Sequence, residues 1–127
     1  TEDARLAVES GADALIVSNH GGRQLDGAET SIRALPKIVA EVGNKIEVHM
    51  DGGIRSGQDV LRATALGAKG TYIGRAWLYA LGAMGEAGVS KCLELIQKEL
   101  ELSMAFCGRT DINKVDKSIL LEGTYPT

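Results

Sequence analysis

The hydrophobic positions of this chain alternate between two kinds of spacing. Stretches with an apolar residue at every third or fourth position end at a glycine, and a short run that is apolar or alternates with polar residues follows each of them. The first spacing is typical of helices and the second of buried strands, so the pattern predicts three helix–strand pairs. The predicted helices end at Gly11, Gly43 and Gly67, where glycine should supply the left-handed conformation that closes a helix. The predicted strands are residues 14–17, 46–50 and 70–73.

Helices that alternate with short strands predict a parallel α/β sheet with right-handed crossover connections. A further helix is predicted over Ser90–Cys107, with one apolar stripe packed into the core, and residues 110–127 should form a short helical turn and a frayed end. The stripe consists of Leu93, Ile96, Leu100, Met104 and Cys107.

Three parallel strands cannot cover their own faces and edges. The chain is therefore expected to be either an unusually small α/β layer or the last part of a larger sheet or barrel. It opens on Thr1 as a helix N-cap followed by two acids, with no initiator methionine, and this favours a piece of a longer protein.

Composition narrows the class of protein. The chain is 44% hydrophobic and 24% charged with a net charge of -3, which is ordinary for a globular domain and argues against nucleic-acid binding. Cys92 and Cys107 lack neighbours at metal-ligand spacing, so we expect reduced thiols in a cytoplasmic core and no metal site. Peripheral attachment to the inner membrane stays open.

Polar residues that a core does not need follow each predicted strand. They are residues 18–23, 51–57 and 74–75, and ligands bind at this end of parallel strands. Gly52 and Gly53 can bring backbone N–H groups close to an anion, and the helix that begins at Gly57 has a partly positive N-terminus. Arg55 and Arg75 add charge, so the second and third groups predict a phosphate site.

The first group adds a histidine and an arginine three residues apart. His20 can exchange a proton near neutral pH, and Arg23 is the natural partner of a carboxylate. A histidine that only caps a helix and an arginine on the surface are the structural alternative. The neighbouring phosphate site favours the interpretation in which both side chains point into one pocket.

Three stretches, "SNHGGRQLDG", "DGGIRSGQDVLRATALGA" and "IGRAWLYALGAMGEAGV", resemble in order and spacing the FMN-dependent α-hydroxy acid dehydrogenases and oxidases. The resemblance covers about residues 1–120 and implies a TIM (β/α)8 barrel. Residues 1–127 would then be the C-terminal part of one barrel domain, about strands six to eight with their helices. The implied activity is the FMN-dependent oxidation of a small 2-hydroxy acid, with L-lactate expected, to the 2-oxo acid.

The resemblance also implies the site residues. His20 would take the substrate proton and Arg23 would bind the substrate carboxylate, while Ser18 would contact the flavin. The remaining FMN-binding residues would be Asp51, Gly52, Gly53, Ile54, Arg55, Gly74 and Arg75. Expected partners are the hydroxy acid, an electron acceptor (oxygen, quinone or cytochrome) and further copies of the chain, often as a tetramer.

Two positions depart from the family pattern, and two other functions remain open. Ala76 stands where many members have proline, and His49 stands at a usually apolar position, where we expect a structural role. The family's aspartate, lysine and tyrosines of the active site lie upstream of this chain. The alternatives are a phosphate-binding barrel without redox chemistry and a non-catalytic half-barrel.

Overall fold

A computed structural model describes residues 1–125, which form a three-stranded parallel sheet with helices packed on one of its faces. The strands lie in the order β1, β2, β3 and are Ala14–Val17, Glu47–Met50 and Gly70–Thr71. The helices are α1 (Glu2–Glu9), α2 (Ser31–Val42), α3 (Gly57–Ala65) and α4 (Arg75–Phe106), with 3-10 turns at His20–Gly22, Ile112–Lys114 and Lys117–Ile119. The predicted helix–strand alternation and parallel pairing are confirmed.

Some predicted boundaries were wrong. The third strand ends at Thr71 rather than residue 73, and α4 begins at Arg75, fifteen positions before the predicted start at Ser90. Helix α4 has a break at Gly85, where φ is 61° and ψ is -142°. Because this break interrupts the apolar stripe, periodicity found only the second half of the helix. The tail, predicted as a short helical turn and a frayed end, forms two short 3-10 turns, and its last two residues, 126 and 127, lie outside the described residues.

The three glycines at the helix ends behave differently. Gly11 and Gly67 have φ values of +84° and +104°, as the left-handed prediction requires, but Gly43 has a φ of -66°. The prediction was therefore wrong for Gly43. A Cβ there would lie 2.6 Å from the carbonyl oxygen of Val39, so close packing is the reason for glycine at this position.

The core lies between the sheet and the helices. Val17, Val48 and Met50 point from the strands toward the helices and are buried, and Leu35 and Val42 of α2 pack against them. A second cluster joins α3 to α4 and the C-terminal turns through its buried members Leu61, Ala65 and Val115. Since a strand alternates its side chains between two faces, the helices cover only one set of them.

The predicted stripe of α4 is buried only in part. Ile96, Leu100 and Met104 are half-buried, whereas Leu93 and Cys107 are exposed, so the prediction was wrong for these last two. Both cysteines are free, and the exposure of Cys107 corrects the expectation that its thiol lies in the core.

The other face of the sheet carries no helix and is called here the open face. Ile16, Glu47, His49 and Tyr72 lie on it, and Ile16 is 51% exposed. The His49 ring is hydrogen-bonded through Nδ1 to the Tyr72 hydroxyl at 2.9 Å and through Nε2 to a Glu47 carboxylate oxygen at 3.0 Å. No helix in the described part of the chain is long and apolar enough to cross a membrane.

Candidate functional site

The ends of the three strands share one open cleft. Nine of the ten residues predicted for the site line it, together with four that were not predicted. The nine are His20, Arg23, Asp51, Gly52, Gly53, Ile54, Arg55, Gly74 and Arg75, and the other four are Gly21, Tyr72, Ile73 and Leu78. Parallel pairing explains this convergence, because it brings the carboxyl ends of all three strands to the same edge of the sheet.

His20 lies in a tight turn directly after β1. Its φ is +55°, a value that residues with a Cβ rarely adopt, and the next two glycines are also left-handed, at +65° and +72°. Two side chains hold this turn: the Ser18 hydroxyl oxygen accepts the His20 N–H at 3.0 Å, and Asn19 Oδ1 accepts the Gly21 N–H at 3.0 Å. Ser18 thus supports the turn through its hydroxyl, and it is not among the residues that line the cleft.

The turn also fixes Arg23. Its backbone N–H donates to the His20 carbonyl oxygen at 3.3 Å, which closes the turn and keeps the two residues on the same short segment. Both residues are exposed and both line the cleft. The structure thus brings together the histidine and the arginine that the sequence pattern had paired.

The loop after β2 has the features of an anion-binding site. Gly52 and Gly53 have φ values of +85° and +92°, and no acceptor within residues 1–125 pairs with their backbone N–H groups. Asp51 contributes a buried oxygen, Oδ1, that has no hydrogen-bond partner among the described residues. Ile54 is 4% exposed and belongs to the core cluster, so its side chain anchors the loop while its neighbours face the cleft.

The N-terminus of α3 is closed to an anion, which corrects the sequence-based expectation for the helix that begins at Gly57. Ser56 and Asp59 form a capping box, in which the Asp59 carboxylate accepts the N–H groups of Arg55 and Ser56 at 3.1 Å each. The Gly57 N–H donates to a carboxylate oxygen of Glu99 at 3.0 Å. The Ser56 hydroxyl oxygen accepts the Asp59 N–H, so two N–H groups of this helix end are already bonded, and the carboxylates of Asp59 and Glu99 would repel a phosphate there.

The N-terminus of α4 is open instead. Gly74 is its N-cap and contributes no side-chain hydrogen bond, so the first N–H groups of the helix face the cleft unpaired by a cap. Arg75 is the first helical residue, and its Nη2 lies 3.3 Å from the position that a Cβ on Gly21 would take. The guanidinium of Arg75 therefore lies beside the His20 turn.

Sequence reasoning missed two residues that shape the site, Asn19 and Ser31. Ser31 is the first residue of α2, and its hydroxyl oxygen accepts the Asn19 backbone N–H at 3.2 Å. The available signal for Ser31 was its place at the start of a helix, directly before the first apolar position, but periodicity cannot show what such a residue faces. His49 contacts Tyr72 and Glu47 and does not line the cleft, which agrees with the structural role expected for it.

The polar groups of the cleft suggest what kind of ligand it could hold. Within residues 1–125, no group of three or more histidine, cysteine, aspartate or glutamate side chains is arranged to hold a metal ion. The groups that do face the cleft are arginines, free backbone N–H groups and a carboxylate oxygen in need of a donor. This set suits an organic ligand that carries both an anion and hydroxyl groups.

Comparison with known proteins identifies the family. The sequence profile of the FMN-dependent dehydrogenases matches residues 1–122, and the chain belongs to this family, whose cofactor is FMN. The L-lactate dehydrogenase of Caulobacter vibrioides is 54% identical over 121 residues, which are 95% of this chain and 32% of that protein. The L-lactate oxidase of a Nostoc species is 53% identical over 119 residues, 94% of this chain and 33% of that protein.

Solved structures agree with the sequence relatives. Mandelate oxidase in complex with benzoyl-formic acid superposes with a TM-score of 0.87 at 51% identity, over 90% of this chain and 34% of that chain. A mandelate oxidase variant with a monooxide FMN adduct gives the same TM-score and identity and is covered to 36%. The chain thus spans about a third of the length of the relatives it matches.

Proposed function

We propose that this chain is the C-terminal part of a (β/α)8 barrel, about strands six to eight, in an enzyme that oxidises a small 2-hydroxy acid with FMN. One observation carries the proposal: nine of the ten residues chosen from the sequence line a single cleft at the carboxyl ends of three parallel strands. Ligands of barrels bind at this end. The open face of the sheet is the surface that the other barrel strands would cover.

The residues of the cleft fit FMN. The N–H groups of Gly52 and Gly53, the open end of α4 and the guanidinium of Arg75 suit its phosphate, and Arg55 adds further positive charge at the cleft wall. The buried Asp51 Oδ1 needs a donor, and a hydroxyl of the ribityl chain would supply one. A phosphate-binding barrel without redox chemistry gives no reason for that oxygen or for the nearby His20.

The chemistry assigns separate tasks to His20 and Arg23. Oxidation of a 2-hydroxy acid removes the hydroxyl proton and the Cα hydrogen together with two electrons, and FMN, when bound, would accept the two electrons and the Cα hydrogen. Arg23 binds the substrate carboxylate through two parallel N–H bonds, which orients the Cα–H bond in the cleft. His20 removes the hydroxyl proton and holds it on a ring nitrogen. L-Lactate is the proposed substrate, since the two sequence relatives named above act on lactate by name at 54% and 53% identity, and mandelate, by the name of a structural relative at 51% identity, is the competing substrate.

The experiment uses a complete barrel. Its other strands come from the chain's own full-length protein or from the C. vibrioides L-lactate dehydrogenase, in which residues 1–122 replace the matching segment. Anaerobic addition of L-lactate to the FMN-loaded protein should bleach its yellow colour and form pyruvate. His20→Gln should keep FMN bound and lower the bleaching rate by about 10²–10⁴-fold, the range for loss of a general base.

The outcomes separate the possible functions. Bleaching by L-lactate that depends on His20 supports the proposal, whereas tight FMN binding without bleaching by L-lactate, glycolate or mandelate contradicts 2-hydroxy acid oxidation. Bleaching at the parental rate by His20→Gln contradicts the assignment of the base but leaves the substrate class intact.

A further inference from the structure

Ser31 is a buried hydroxyl at the junction of both loops of the cleft. It is 3% exposed and is the single polar or charged residue in the buried class within residues 1–125. A buried hydroxyl is unfavourable unless it is hydrogen-bonded, and Ser31 Oγ accepts the backbone N–H of Asn19 at 3.2 Å. Ser31 opens α2, which packs against β1 and β2, so its position is set by the core rather than by the loops.

Asn19 links Ser31 to the turn that contains His20 through hydrogen bonds. While its backbone N–H is held by Ser31, its side-chain oxygen Oδ1 accepts the Gly21 N–H at 3.0 Å and its Nδ2 donates to the Glu29 carbonyl oxygen at 3.4 Å. The turn contains His20 at a φ of +55°, a conformation that persists only where the surroundings enforce it. Ser31 and Asn19 are part of that enforcement.

Gly52, in the loop after β2 that is proposed to bind the cofactor (the cofactor loop), lies next to Ser31 and Asn19. A Cβ on Gly52 would lie 2.9 Å from Ser31 Oγ and 3.1 Å from Asn19 Oδ1, so the backbone of this loop rests directly on the two polar groups. The same pair of side chains therefore touches the turn that carries His20 and the loop that carries Asp51 and Gly53. No other side chain described so far contacts both.

We propose that Ser31 is a positioning residue that sets the placement of the His20 turn relative to the cofactor loop, acting through Asn19. The inference rests on the proposed function, in which His20 is the base and Gly52 belongs to the FMN-binding loop. If the Ser31 hydroxyl is removed, the Asn19 N–H loses its acceptor and the left-handed turn loses one of its restraints. A displacement of about 1 Å at a reacting group can cost up to about 10²-fold in rate.

The test compares three variants in the complete barrel. Ser31→Ala removes the acceptor, Ser31→Thr retains a hydroxyl, and Thr30→Ala is the matched control, because Thr30 is the N-cap of α2 but makes no side-chain capping bond. We expect Ser31→Ala to lower kcat about tenfold or more and to raise KM as well, because Arg23 lies on the same turn as His20 and moves with it. Ser31→Thr should restore most of kcat, and Thr30→Ala should behave as the parent.

Two further measurements separate positioning from general stability. Asn19→Ala removes the bond from the Gly21 N–H to Oδ1 but keeps the backbone N–H that Ser31 accepts, so Ser31→Ala should still lower kcat in the Asn19→Ala background, by less than it does in the parent. A crystal structure of Ser31→Ala should show His20 outside the left-handed region. This structural result does not depend on turnover, so it remains informative even if L-lactate is not the substrate.

Three results would refute the positioning role of Ser31. A Ser31→Ala enzyme with parental kcat and an unchanged His20 turn would overturn the proposal, and so would additive effects of the Asn19 and Ser31 changes. A loss of kcat that Ser31→Thr does not restore, with an unchanged turn in the crystal structure, would also overturn it. Failure of His20→Gln to slow the reaction would instead refute the proposed base.

Discussion

The contact between α3 and α4 leaves no room for a side chain at Gly57. A Cβ built there would lie 2.0 Å from the backbone nitrogen of Leu100 and 2.5 Å from the carbonyl oxygen of Ile96. Both are main-chain atoms that cannot rotate away. Since ordinary contacts of a Cβ begin near 3.4 Å, Gly57→Ala forces the two helices apart by more than an ångström.

Whether Gly57→Ala raises or lowers the free energy of unfolding depends on three contributions. Replacing a helical glycine by alanine gains about 0.5–1 kcal/mol of helix propensity. Overpacking costs about 1–3 kcal/mol and occasionally more, and here the clash is between backbones, which favours the upper end. Separation also lengthens the 3.0 Å hydrogen bond from Gly57 N–H to Glu99, a bond worth about 1 kcal/mol at an exposed carboxylate. We expect Gly57→Ala to lower the free energy of unfolding by about 2–4 kcal/mol.

Denaturant unfolding of the complete barrel measures this change, and FMN titration of the apo-protein gives a second readout. FMN affinity should also fall, because the loop of residues 51–56 ends at Gly57 and must follow the helix. Gly82→Ala is the control: Gly82 also lies in a helix, but no atom is within 4 Å of its Cβ position, so the same substitution should stabilise the protein by about 0.5–1 kcal/mol. Equal stabilities for Gly57→Ala and the parent would refute the close approach of α3 and α4.

Three further predictions concern the charged residues. Arg75→Ala should weaken FMN binding by about 1.5–3 kcal/mol, roughly ten- to a hundredfold, and unchanged affinity in a titration of the apo-protein would show that Arg75 does not hold the phosphate. Arg23→Lys should lower kcat and raise KM for L-lactate, since lysine keeps the charge but loses the two parallel N–H bonds; parental values of both would exclude Arg23 as the carboxylate clamp. The hydroxyl and backbone N–H of Ser118, followed by the charge of Arg109, hold the pKa of Asp116 below its ordinary value of 3.8. Its contribution to stability is therefore present above pH 3.8 and lost as the pH falls through the lowered pKa. The protection factor of the Ser118 amide, which is its hydrogen exchange corrected for the intrinsic effect of pH, should therefore fall in acid, and an unchanged protection factor in Asp116→Asn would contradict this.

Local chemistry was enough to predict most of the fold. The runs at residues 14–17 and 46–50 are apolar or alternate with polar residues, and a helical pattern that ends at glycine precedes each of them, so β1 and β2 follow from spacing alone. Prediction failed at two glycines, because the spacing of apolar residues does not report the backbone conformation there. Gly43 is required by the nearness of Val39 rather than by a left-handed turn, and Gly85 breaks α4 without ending it.

The sequence by itself determined which residues gather at the site. His20, Asp51 and Gly74 each follow a predicted strand, and parallel pairing is sufficient to bring such residues to one edge of the sheet. This inference needs only the chain order of strands and polar groups, because strand direction then determines the edge at which they meet.

Only the tertiary structure decided how those residues are held. The N-terminus of α3 is closed by Glu99, which lies 42 positions after Gly57, and no local pattern relates the two. The link from Ser31 through Asn19 to the His20 turn likewise depends on where α2 packs. Hydrogen bonds between distant segments arise from packing geometry, which periodicity does not encode, and for this reason the members of the site could be predicted but not the contacts that position them.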